Sequence, residues 1–277
     1  MRRNQRTVSP WVVVCVVLFS SCGADSSSDE PRSNTSTSSI TSFKGSLTEA
    51  LNLGLIEVNG QGLGTYRELE VGVTNRTNQE LVIDFEAGTF FDNPKSRSQN
   101  LIALEDASFR VRQGTSQSIK VSSACTNAGW SVPGREGNWP VAEAPKGLDQ
   151  ALRFYGRHED RIGRFLAKKN PEKLGTESQR KSFLQVAIWT YLGDNPEDVI
   201  DMLAQEVFHD DIRKARDFYN SVSADARDIA DLMRSRDSEA IEAWIREQGS
   251  EVLDEGRKRL DEATENARDR LNRWRSN

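Results

Sequence analysis

Two periodicities divide the chain. Across residues 44–124, Leu69, Val71 and Val73 alternate with polar residues, as do Leu81, Ile83 and Phe85. A period of two marks a half-buried strand. Asn75-Arg76-Thr77-Asn78 between these runs is turn chemistry and predicts a hairpin or a sandwich corner. Leu55 to Val58, Gln99 to Leu104, Phe109 to Arg112 and Gln117 to Ser123 read as further short strands. Ser46-Leu47-Thr48-Glu49 has the form of a capping box opening a short helix, which Gly54 ends. The set predicts a small antiparallel β-sandwich.

After Gly147 the period becomes helical. Leu148, Leu152, Tyr155, Ile162, Phe165 and Leu166 share one face of a first helix, broken at Asn170-Pro171. A second runs from Glu177 to Leu192 and stops before Gly193, and Asn195-Pro196-Glu197 starts a third. Shorter helices are expected around Ile212 to Tyr219, Ala224 to Met233 and Ser238 to Glu247. The last helix, Ser250 to Trp274, carries a thin stripe of Leu253, Gly256, Leu260, Ala263, Ala267, Leu271 and Trp274. That seam suggests helix-on-helix contact, within the domain or through self-association with another copy. The fold class expected is α+β: a sandwich over 44–124, a Trp/Gly/Pro-rich connecting loop over 125–147, and a mainly α-helical C-terminal domain over 148–277. In outline the sandwich is similar to immunoglobulin-like folds, without the Cys…Trp…Cys spacing of true immunoglobulin domains.

The first 43 residues follow neither period. Arg2, Arg3 and Arg6 precede an unbroken apolar run from Trp11 to Phe19. That run is too short for a bilayer-spanning helix, which takes about 20 residues, and residues 1–21 read as a signal peptide. Phe19-Ser20-Ser21-Cys22 resembles the lipobox of bacterial lipoproteins, which implies that Cys22 becomes the lipidated first residue. Cys15 is the poorer candidate, because Val14 is too bulky for the small position before the cysteine. Gly23 and Ala24 after Cys22 imply, by the same resemblance, the outer membrane if the cell is Gram-negative. Residues 22–43 are rich in Ser and Thr and nearly devoid of apolar side chains, as in a disordered tether.

Composition narrows the function classes. Without Arg2, Arg3 and Arg6 the formal charge moves from −5 to −8, with both signs interspersed, which argues against nucleic acid as a partner. With Cys15 removed and Cys22 acylated, Cys125 is the remaining thiol, so no intramolecular disulfide is expected. Two histidines and one free cysteine do not make the usual zinc spacings. No Gly-x-Ser-x-Gly elbow or phosphate-binding Gly-rich loop occurs, so neither a cofactor nor a conventional hydrolase is implied.

Cys125 and Gln185 form the sharpest chemical candidate. Gln185 lies in Phe183-Leu184-Gln185-Val186-Ala187-Ile188-Trp189 on the second predicted helix, and Cys125 ends the β half. The string resembles the Gln-x-Ala-Ile-Trp segment of thioester domains in bacterial surface adhesins. That resemblance implies an internal thioester between the two side chains, which reacts with amines on a target. The other reading is a buried structural cysteine and a helix with Ala187, Ile188 and Trp189 packed inside. Trp130 and Trp139, on the Gly/Pro-rich loop, offer flat faces to a sugar or peptide, or else cover the seam between sheet and helices. His209-Asp210-Asp211 reads as a helix cap, and His158-Glu159-Asp160 as a solvated face. Asp84, Glu86 and Asp92 lack the spacing of an EF-hand loop. The expected function is a membrane-anchored bacterial envelope lipoprotein, a non-enzymatic module that binds or scaffolds a protein or glycan partner. The alternative is covalent attachment through a Cys125–Gln185 thioester.

Overall fold

Strand β1 (Phe43–Ser46) leads directly into helix α1 (Leu47–Asn52), where Ser46 Oγ accepts the Glu49 N–H at 3.1 Å. Gly54, at φ +67°, then turns the chain back, a conformation other residues adopt only under strain. The computed structural model in which these elements are seen describes residues 43–275, apart from 66, 96 and 136. On its last helix, side chains are described through 250 and at 254, 257, 258 and 262–265. The expected signal peptide, Cys22 and the tether up to residue 42 lie outside the described residues.

Eight more strands follow: β2 (Ile56–Gly62), β3 (Glu68–Asn75), β4 (Leu81–Phe85), β5 (Phe90–Phe91), β6 (Leu101–Ala103), β7 (Ala107–Val111), β8 (Ser116–Cys125) and β9 (Val141–Ala142). They make a three-stranded sheet, β1-β4-β7, and a six-stranded sheet, β2-β3-β8-β6-β5-β9. Every pairing is antiparallel except β1 on β4. The alternating residues of β3 and β4 point into the core as their period requires. Because β3 and β4 belong to different sheets, the Asn75–Asn78 turn is a corner and not a hairpin.

Asn75 holds that corner from inside. Its Oδ1 accepts the Thr77 N–H at 2.8 Å, and its Nδ2 lies 2.7, 3.0 and 3.1 Å from the carbonyls of Gln79, Val111 and Arg112. A buried amide is tolerated here because both of its ends find partners.

The helical part comprises α2 (Leu148–Lys169), α3 (Pro171–Leu174), α4 (Glu177–Leu192), α5 (Pro196–Glu206), α6 (Ile212–Ser235) and α7 (Ser238–Arg275). The architecture is thus mixed α+β, largely antiparallel sheets followed by helices, and the two halves share one hydrophobic core. Two predicted helix breaks are absent. Residues 212–219 and 224–233 belong to the single helix α6, because Val222 between them is buried and Ser221 Oγ folds back to the Phe218 carbonyl at 2.7 Å. Likewise α7 runs through Gly249 and joins the helices expected at 238–247 and 250–274. Its near half is held by Ile241 and Trp244 in the core and by Trp244 Nε1 donating to Asp228 at 3.1 Å. Ala263, placed on the seam by its spacing, is exposed.

α4 is the axis of this half. Every residue from Ser182 to Trp189 is buried, so the helix is enclosed on all sides. Thr176 and Gln179 close its N-terminus as a reciprocal capping box. At the other end Arg234 Nη2 donates to the carbonyls of Thr190 and Tyr191 at 3.1 and 2.9 Å, and Lys146 donates to Leu192. Such cations offset the orphan carbonyls of a C-terminus.

Asn75→Leu is expected to lower stability by about 2–3 kcal/mol, since the Thr77 N–H loses its acceptor and the carbonyls of Gln79, Val111 and Arg112 each lose a hydrogen bond. A lower urea midpoint at unchanged slope is the measurement; a loss under about 0.5 kcal/mol, the size of an ordinary surface change, would show that the corner does not depend on this amide.

Candidate functional site

Strand β8 outlasts the strand it pairs with. On its β3 side, among the described residues, the last backbone bond of the ladder is Ser123 N–H to the Arg67 carbonyl, at 3.0 Å. Backbone groups alternate sides in an antiparallel sheet. Thr126 N–H therefore faces β6, bonding Asn100 at 3.2 Å, while the N–H and C=O of Cys125 face the side that β3 has left. Both groups are deep inside the protein, where unpaired polar backbone is costly.

Gln185, from the middle of α4, completes that ladder. Its Oε1 accepts the Cys125 N–H at 2.9 Å, and its Nε2 donates to the Cys125 carbonyl at 2.8 Å. The carboxamide thus stands in for one residue of a missing strand. Cys125 is 0 % exposed and Gln185 1 %, although 60 residues separate them along the chain. The two residues named together from the sequence are in direct contact.

The polar surroundings run along one helical stripe. Ser178, Ser182, Gln185 and Trp189 follow one another at steps of three and four, so they share the face turned to β8. Arg67 crosses the near end, donating to Ser178 Oγ at 3.1 Å and Ser182 Oγ at 3.4 Å. At the far end Asp194 accepts the Ala128 N–H at 3.0 Å, so the segment after Cys125 lies along α4 towards its C-terminus. Trp189 Nε1 and Gln99 Oε1 are buried and have no hydrogen-bond partner among the described residues. Gln99 Nε2 donates to the Trp130 carbonyl at 2.8 Å.

Burial pushes the Cys125 thiol well above its ordinary range, and the negative charge of Glu206 acts in the same direction. Glu206 is itself raised by burial, with Arg67 opposing. At neutral pH the thiol therefore keeps its proton, and a reaction at sulfur needs an acceptor for it. The Gln185 carboxamide, held by the backbone of the same residue, is polarised by the Cys125 N–H on its oxygen.

No protein-family model, curated protein or solved structure matches the chain. Its function has to be read from this chemistry.

The other candidates separate. Trp139 is 0 % exposed; its backbone exchanges two hydrogen bonds with Gly60, and a Cβ on Gly62 would come within 2.9 Å of its ring. It packs against β2 and, being fully buried, has no free face for a ligand. Trp130 is 41 % exposed on the same loop. Asp211 caps α6 by accepting the Lys214 N–H at 3.0 Å, and that bond lowers its pKa. His158 lies against Phe154 and Ser238 Oγ. Asp84, Glu86 and Asp92 form no metal-holding cluster among the described residues. Sequence reasoning missed Arg67, Ser178, Ser182, Gln99 and Glu206. The serines were findable from their helical spacing to Gln185, whereas Arg67, Gln99 and Glu206 carry no local signal.

Gln185→Leu is expected to cost about 2–4 kcal/mol, because it orphans two buried backbone groups at once; chemical denaturation tests this, and a near-neutral result would remove the strand-completing role. Asp194 gives a pH signature. Burial raises its pKa, outweighing the Ala128 bond, so the unfolded chain ionises first as pH rises. Its contribution to stability is full below about pH 4 and is lost as pH climbs through the raised value. Asp194→Asn keeps the acceptor for Ala128, and thermal melts should show it gaining on the parent protein between about pH 4 and pH 7.

Proposed function

We propose that the chain is a bacterial envelope lipoprotein, anchored through acylated Cys22, whose folded body captures a partner covalently through a Cys125–Gln185 thioester. The observation that supports the reading is the contact itself: a buried thiol-bearing residue holds, with its own backbone, both polar ends of a glutamine carboxamide. The resemblance of the segment from Phe183 to Trp189 to thioester domains points the same way. The β half, by its two sheets with alternating inward residues, belongs to the same proposal as a sandwich of immunoglobulin-like outline.

The reaction balances with the groups present. Cys125 Sγ attacks Gln185 Cδ, and the developing charge on Oε1 is met by the Cys125 N–H. The thiol proton passes to Nε2, the C–N bond breaks, and ammonia leaves. The product is an Sγ–Cδ thioester in a site from which water is excluded. A partner's amine then attacks Cδ, the C–S bond breaks, the thiol regains a proton, and an amide links the partner to residue 185. The chain undergoes this once per capture, so it is not an enzyme.

Non-covalent binding of a protein or glycan is the second reading, supported by the exposed indole of Trp130 on the loop beside the site. Self-association through the helix from Ser250 to Trp274 and, in a Gram-negative cell, an outer-membrane address accompany either reading.

Intact mass of the full-length protein discriminates. Against Cys125→Ser as reference, the parent protein should be lighter by one ammonia beyond the residue difference, and methylamine should add to it in full. An unmodified mass that ignores methylamine overturns the covalent reading and leaves the non-covalent one.

A further inference from the structure

We infer that Trp189 supplies the hydrogen-bond donor that holds the carbonyl oxygen once it belongs to the thioester, an inference that rests on the covalent reading above. The starting amide needs no such help, because Oε1 is already taken by the Cys125 N–H at 2.9 Å. Closing the Sγ–Cδ bond changes the geometry. The acyl carbon becomes tied to the side chain of the same residue whose backbone N–H meets its oxygen, and the departing nitrogen takes the other half of the pairing with it. A second donor on that oxygen then stabilises the charge that develops when an amine attacks.

Trp189 is placed to provide it. It follows Gln185 by four residues on a helix, so the two side chains are neighbours on one face. The segment beginning at Cys125 is fixed over that face at two points, Gln185 on Cys125 and Asp194 on Ala128, and Trp189 falls between them. The residue is 1 % exposed, and its Nε1 has no hydrogen-bond partner among the described residues. A buried donor left unsatisfied is uncommon in folded proteins and is unfavourable unless something uses it. In the amide state no described residue does; in the thioester state the acyl oxygen would.

The same logic sets a control. Trp139 also has a buried Nε1 without a partner among the described residues, but it packs on Gly60 and Gly62 of β2. A merely structural orphan behaves alike at both places: replacing either indole by phenyl removes an unsatisfied donor and some packing.

The experiment uses full-length protein and follows two quantities by intact mass, the fraction lacking ammonia and the rate at which methylamine adds. Trp189→Phe should slow the addition by about a hundredfold, the usual consequence of deleting one oxyanion donor, or leave the ammonia in place. Trp139→Phe should do neither. Equal methylamine rates in Trp189→Phe and the parent overturn the inference and leave the thioester standing. A parent protein that never loses ammonia overturns both. Should Trp189→Phe not fold, the indole N–H resonance decides: it should lie downfield in the parent relative to Cys125→Ser, and an unmoved resonance refutes the assignment.

Discussion

A buried polar contact between Gln185 and Cys125 completes the sheet from the helical half of the protein. The carboxamide of Gln185 replaces the strand that β8 lacks beyond Arg67, and without it two buried backbone groups of Cys125 would be unpaired. That constraint dictates much else. A carboxamide serves as a strand partner only when its helix is fixed in depth and rotation, and α4 is fixed in both. Its ends are closed by the Thr176–Gln179 box and by Arg234 and Lys146, and it packs against α3, α6 and β8. The segment after Cys125 is fixed just beyond the end of that helix, through Asp194. β8 and α4 are thus registered by polar contacts at several points, where apolar packing alone would allow sliding.

The sequence reveals those parts of the fold whose cause is local. Alternation in β3 and β4, the turn chemistry at Asn75, the caps of α1 and α4, and Pro196 opening α5 all depend on residues within a few positions of each other. Where a long-range contact decides, the local signal misleads. Asn220 to Ser223 reads as a helix break, yet α6 continues because Val222 is needed in the core. Gly249 reads as a stop, yet α7 passes through it. The burial of Trp139 follows from Gly60 and Gly62 far away in the chain, which no window around the tryptophan contains. The site divides in the same way. Cys125 and Gln185 can be named together only through a resemblance, since nothing local to either shows that β8 will lack a partner. Arg67, Gln99 and Glu206 arrive from elements with no distinguishing pattern.

Burial sets two demands on the proposed reaction that pull against each other. Keeping water from an activated acyl group requires an enclosed site, and Cys125 and Gln185 are enclosed. The same enclosure keeps the thiol protonated, with Glu206 strengthening the effect. A free thiolate is thus not the resting nucleophile, and no solvent is at hand to take the proton. The arrangement allows a direct solution, because the nitrogen that must leave is also the group that must be protonated, and it belongs to the very carboxamide under attack. The proton then never needs to reach bulk solvent.

The strand-completing role also shapes how the thioester would behave. In the amide, Nε2 satisfies the Cys125 carbonyl at 2.8 Å. Departure of ammonia removes that donor, so the carbonyl is left buried and unpaired, a penalty of about 1–3 kcal/mol. Attack by an amine restores an N–H on the acyl carbon, able to return to the same carbonyl. The fold therefore opposes the thioester and favours the amide on either side of it. Were the thioester formed, such a site would hold its acyl group in a raised state and would release that strain only to a nucleophile that brings an N–H. Among nucleophiles this distinguishes primary amines from hydroxyl groups, whose ester products leave the Cys125 carbonyl without a donor.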